Sequence, residues 1–197
     1  MKLLIGASKD FKFHLEQFAE YLMKQGVNCK VVRVTDYGSG FLGKNIKNWF
    51  SNNKFKNLIH NFNPDLILID GRTVFGNYVI KTGIPLLYHI RGDEWAETRW
   101  ALQTLHKSMV TRIIVWYRVR RAEKCYKKSF LIIPICKYLE KIVKQYYPNK
   151  KTQVMYQGID PDKWYPSKGM TLKHPCVGLV QRATIWGKAK EMFILQK

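Results

Sequence analysis

The sequence has 197 residues, enough for one sizeable core and part of a second. At 46% hydrophobic and 14% aromatic it is too apolar for a disordered chain, and no apolar run nears the ~18 residues of a membrane span. The 34 Lys and Arg against 14 Asp and Glu leave a net charge of +20, which does not choose a fold but draws the surface to polyanions: nucleic acid, anionic lipid or phosphorylated ligands.

Lys2–Gly6 reads as a buried strand. Phe11–Gln25 follows as a helix, with Phe11, Leu15, Phe18, Ala19 and Leu22 recurring at three- to four-residue spacing, and Gly26 as its stop. Val27–Thr35 is a second strand, 36–44 a glycine-rich loop, and Asn45–Asn61 a helix. Leu66–Asp70 is a third strand, Val74–Thr82 a short helix, and Leu86–His89 a fourth strand entered through Gly83-Ile84-Pro85. A long helical stretch is predicted over Ala96–Lys128, then a strand at Phe130–Pro134, a helix at Lys137–Tyr146 and a sixth strand at Gln153–Tyr156. Strands apolar on both faces and separated by helices predict an α/β domain, a doubly wound, Rossmann-like parallel sheet covered on both sides. The expected organisation is one domain over 1–166, a linker over 167–174, and over 175–197 the first strand and helix of a further domain.

Cys29, Cys125, Cys136 and Cys176 form no CxxC pair; they imply reduced thiols, with neither a zinc site nor a disulfide framework. No metal is expected. The start of the chain makes a poor signal peptide, which points to the cytoplasm.

In an open parallel sheet ligands bind beyond the carboxyl ends of the strands. The richest such end is His89–Trp95. His89 suits general-base or hydroxyl-orienting work, Arg91 can hold a phosphate or carboxylate bidentately, and Asp93, Glu94 and Trp95 complete a polar, aromatic loop that Gly92 lets turn tightly. The competing reading is a loop that satisfies itself, with Arg91 paired to Asp93 or Glu94. Gly6-Ala7-Ser8-Lys9 joins the first strand to the first helix, where backbone N–H groups can meet a phosphate, although it is neither GxGxxG nor a P-loop.

Thr104–Lys128 carries eight Lys and Arg and one acid, Glu123. Leu105, Met109, Ile113 and Trp116 form an apolar stripe. With Lys107, Arg112, Arg118, Arg120 and Arg121 they make a basic amphipathic helix suited to an anionic membrane surface. Against this stands core packing of the stripe beneath a solvated basic face.

The stretch Phe130–Pro166 (FLIIPICKYLEKIVKQYYPNKKTQVMYQGIDPDKWYP) is similar to the closing segment of the N-terminal domain of family-4 retaining glycosyltransferases. A strand ending in a small residue (Cys136, where serine is usual), a helix, a second strand, Gly158-Ile159-Asp160 and Trp164-Tyr165-Pro166 recur in the family's order. Gln25-Gly26-Val27, Gly83-Ile84-Pro85 with His89, and Arg120-Arg121-Ala122-Glu123 extend the likeness over almost the whole chain. The resemblance implies one half of a GT-B architecture, two Rossmann-like domains facing a cleft, in which this half holds the acceptor and the other most of a nucleotide-sugar donor. His89 matches the family histidine near the reacting sugar. Gly6, Ala7 and Ser8 match the loop near the donor diphosphate, with Ala7-Ser8 where a glycine pair is usual. Arg182 and Lys188 stand where the diphosphate-binding pair would begin the second domain. The family's paired glutamates lie in the part of that domain the sequence does not contain, so the chain is expected to need it, or a partner chain, for transfer. The expected activity is metal-free and cofactor-free transfer, with retention, from a nucleotide sugar to a membrane-associated or cell-surface glycan at the inner face of the membrane. A nucleic-acid-binding module and a small nucleotide-binding Rossmann domain are the other classes that the charge and fold allow.

Overall fold

The structure is a computed structural model that describes residues 1–8, 12–37, 53–158 and 162. Its apolar runs form five parallel strands: β1 (Lys2–Ala7), β2 (Asn28–Arg33), β3 (Leu66–Asp70), β4 (Leu86–Ile90) and β5 (Leu131–Pro134), in the spatial order β2-β1-β3-β4-β5. The helices are α1 (Lys12–Lys24), α2 (Asn53–Phe62), α3 (Val74–Val79), α4 (Glu94–Thr104), α5 (Met109–Lys128) and α6 (Lys137–Tyr146). Alternation along each strand sorts the core into two layers. Leu4, Ile67, Ile69, Leu86, Tyr88, Ile90 and Ile132 face the side covered by α2, α3, α5 and α6. Leu3, Ile5, Ala7, Leu68 and Ile133 face Leu15 and Ala19 of α1. The predicted doubly wound sheet is therefore present, with helices on both faces.

Residues Met1–Gln157 make one compact unit and Gly158–Lys197 a second. The predicted linker at 167–174, the strand and helix over 175–197, and all but the last turns of the helix predicted at Asn45–Asn61 lie outside the described residues.

Two predicted elements differ. The helical stretch over Ala96–Lys128 is two helices, because Ser108 leaves helical backbone and caps α5, its hydroxyl accepting from the Thr111 amide at 3.3 Å. The sixth strand is an extended segment along β5, not a full strand. It makes a single bridge, Ile132 to Thr152, and its rungs run from Ile132 N to Lys151 O, Gln153 N to Ile132 O and Met155 N to Pro134 O. β5 is only four residues long and ends in Pro134, whose nitrogen cannot donate a further rung.

Gly26 ends α1 at φ +80°, as its position after Gln25 predicts.

Candidate active site at the carboxyl edge of the sheet

β3 reads LILID: four apolar residues, then a carboxylate at the strand's last position. In the parallel register Asp70 sits directly beside His89 of β4, and alternation puts both on the α1 face. Gly71, at φ +70°, turns the chain there, and its amide donates to the His89 carbonyl at 3.0 Å, one rung past the strand end. Asp70 and His89 are only 4% and 5% exposed. A carboxylate this deep requires a counter-charge, since an isolated buried anion costs far more than the fold can offset. Arg91 supplies it. Its Nη2 donates to Asp70 Oδ2, while Asp70 Oδ1 lies 3.1 Å from His89 Nδ1. Burial lowers the Arg91 guanidinium from its ordinary value, and the Asp70 charge and hydrogen bond oppose that shift. His89 Nε2, on the other side of the ring, is buried with no hydrogen-bond partner.

The residues after Arg91 take separate tasks. Asp93 caps α4, its Oδ1 accepting from the Trp95 and Ala96 amides at 3.1 and 2.9 Å. Glu94 pairs with Arg72 at 3.1 Å and accepts from the Tyr126 hydroxyl, which ties α4 to α5 and to the β3 loop. Arg72 also donates to Thr98 Oγ1 at 2.6 Å. Trp95 stacks on Tyr146, with centroids 4.5 Å apart and planes 6° apart, and on Tyr126 at 5.3 Å; each such pair adds about 0.5–1.5 kcal/mol beyond its buried area. The loop is thus largely self-satisfied, but not as the simple reading had it: Arg91 bonds Asp70 across the sheet, and Asp93 and Glu94 have partners of their own.

Burial raises the Glu94 carboxyl from its ordinary value, outweighing Arg72 and Tyr126, which lower it. As pH rises through the ordinary glutamate range, the unfolded chain releases this proton while the folded chain still holds it. Stability therefore falls across that window and levels off above the raised value. Urea melts of the native chain and Glu94→Gln between about pH 4 and 7 should show the native chain losing stability relative to the variant as pH rises. A flat difference would remove Glu94 from this role.

Of the first loop, Gly6 and Ala7 belong to β1 itself. Ala7 is fully buried, and a Cβ on Gly6 would meet Val34 and Phe75 at 3.0 and 3.1 Å. Both residues serve packing, and Ser8, half-buried, is the one of the three at the sheet edge. Arg182 and Lys188 lie outside the described residues, as do Ile159 and Asp160.

Helix α5 buries Val115, Ala122, Cys125 and Tyr126. Of the two readings of the stripe, core packing does not hold: Leu105, Met109, Val110, Ile113, Trp116 and Tyr117 are all exposed, Met109 by 75%. At 100° per residue, Met109, Val110, Ile113, Trp116 and Tyr117 fall in one outward sector, and one or two turns on the same sector carries Arg120, Arg121, Lys124, Lys127 and Lys128. Arg120 lies over the Trp116 ring at 5.3 Å and Arg121 over Tyr117 at 5.2 Å. Lys107 precedes the helix at its corner, Arg112 flanks the apolar sector, and Arg118 is exposed on the far side.

Asp70 and Arg72, at the end of β3, and Tyr126 of α5 contact these residues, although none of the three has a role assigned from the sequence. Asp70 carried a signal, a carboxylate closing an otherwise apolar strand. Tyr126 carried none, since its hydroxyl meets Glu94 across 32 residues. Among the described residues no group of His, Cys, Asp and Glu could hold a metal ion, and no helix is long and apolar enough to cross a membrane.

The family model for Glycosyltransferase Family 4 matches residues 13–163. The chain belongs to glycosyltransferase family 4. No curated protein matches the sequence. Among solved structures, Glycyrrhiza uralensis UGT73P12 complexed with glycyrrhetinic acid 3-O-monoglucuronide is similar with a TM-score of 0.41 and 11% identity, over 78% of this chain and 42% of that one. The chain thus spans under half the length of that structure. The family-4 match runs from α1 through β5 and α6, so it takes in Asp70, His89 and Arg91.

Proposed function

We propose that this family-4 chain is the acceptor-side half of a GT-B glycosyltransferase that moves a sugar, with retention and without a metal or cofactor, from a nucleotide sugar to a glycan or lipid-linked acceptor at the inner face of a membrane. The observation that carries the reading is the Asp70–His89–Arg91 group at the carboxyl edge of β3 and β4, where a parallel sheet receives ligands. His89 offers a nitrogen to a reacting hydroxyl, and Arg91 sets a positive charge beside it. Ser8 lies at the same edge of the sheet. Donor binding falls to a second Rossmann-like half, in the same or a partner chain, with Arg182 and Lys188 as its first contributions. Asp93, Glu94 and Trp95 shape the acceptor side chiefly by fixing α4. The outward apolar and basic sector of α5, with Lys107, Arg112, Trp116, Arg118, Arg120 and Arg121, holds the protein to anionic lipid near its acceptor.

In a chain carrying both halves, His89→Ala should lower turnover at least about 100-fold while leaving donor binding in place. Unchanged turnover in a folded variant would sink the assignment.

A further inference from the structure

We infer that Asp70 is the positioning residue of this site: it fixes His89 as the Nδ1–H tautomer, leaving Nε2 as a hydrogen-bond acceptor, and it holds Arg91 beside the ring. The carboxylate has no N–H or O–H to offer when ionised, so the nitrogen facing Oδ1 at 3.1 Å must carry the proton. Arg91 on Oδ2 already supplies the counter-charge to this carboxylate, so a second cation is not needed beside it. Nδ1 is thereby the donor, and the lone pair falls to Nε2, which is buried and unpartnered. Its complement is an O–H donor, which a sugar or acceptor hydroxyl supplies. The consequence for turnover rests on the transferase reading; the tautomer stands without it.

Asp70→Asn keeps the shape and reverses the logic. The amide oxygen is drawn to Arg91, the NH2 group then faces Nδ1, and the proton must move to Nε2. Long-range proton–nitrogen NMR of the 197-residue chain, at a pH where imidazoles are neutral, reads the protonation of both ring nitrogens. The expected result is a protonated Nδ1 and bare Nε2 on His89 in the native chain, exchanged in Asp70→Asn. A protonated Nε2 in the native chain, as the other tautomer or as an imidazolium, overturns the proposal, and this measurement decides even if the variant does not fold. So does an unchanged tautomer in a folded Asp70→Asn. In a chain with both halves, the same variant should lower kcat at least about tenfold with little change in the KM for the donor. An exchanged tautomer with unaltered kcat would uphold Asp70's control of the ring and overturn instead the role given to His89.

Discussion

Arg91→Ala should cost about 3–5 kcal/mol of folding free energy, one of the largest single losses in the chain. The substitution removes little apolar area. Its cost comes from what it leaves behind: the Asp70 carboxyl, 2% exposed, loses its cationic partner and is left facing His89. Protonating Asp70 on Oδ2 limits the damage, and Oδ1 then accepts from His89 Nδ1 only as a neutral carbonyl oxygen, a weaker bond than to a carboxylate. The second substitution tests the cause. Asp70→Asn in the Arg91→Ala background removes the stranded charge, so the double variant should be more stable than Arg91→Ala alone, a coupling that a double-mutant cycle from urea denaturation measures directly. Simple additivity of the two losses would show that Arg91 stabilises through contacts other than Asp70.

The second large effect concerns α5. Burying an exposed Leu-, Ile- or Trp-sized side chain in an apolar phase is worth about 1.5–3 kcal/mol, and each basic residue near an anionic leaflet about 1 kcal/mol. Ile113 and Trp116, 60% and 59% exposed, are the centre of the apolar half of the outward sector. Ile113→Glu with Trp116→Glu should weaken binding to vesicles containing phosphatidylserine by at least about 100-fold at low salt, while the melting temperature barely moves, because neither side chain is in the core. Arg120→Gln with Arg121→Gln should weaken binding by about tenfold and flatten its salt dependence. Absence of vesicle binding by the native chain ends the membrane reading. Steep, salt-dependent binding to duplex DNA in its place would favour a nucleic-acid module.

Strands and the larger helices were legible because burial on both faces leaves long apolar runs, as in LLIGA and LILID, and because parallel sheets need helices between them. The break between α4 and α5 was not, since both sides of it have good helix formers and only Ser108 marks it. For the α5 stripe the spacing points to the core and the excess of basic residues points outward. Leu105, Met109, Ile113 and Trp116 have the spacing of a core stripe, and nothing local says that Val115, Ala122 and Tyr126 on the other side are the ones buried. Position after a strand draws attention to His89 and Arg91, and the structure brings both onto Asp70. That Asp70 would pair with them was not legible locally, because it comes from the adjacent strand, 19 residues earlier for His89 and 21 for Arg91. Glu94 and Trp95 looked free to meet a ligand for the same reason: Arg72, Tyr126 and Tyr146, which engage them, are distant in sequence.

The short, irregular pairing along β5 has a consequence for solubility. A sheet edge with open N–H and C=O groups is a template for adding another chain. On the β5 side, residues 151–155 already occupy those groups, and the segment is too irregular to present a clean ladder outward in turn. On the other side, β2 pairs only with β1 among the described residues, yet its exposed positions are Asn28, Lys30 and Arg33. A second copy approaching that edge would bring like charge against like charge, on molecules that each already carry +20. One border of the sheet is sheathed by its own chain and the other is guarded by charge, so runaway strand addition is disfavoured at both.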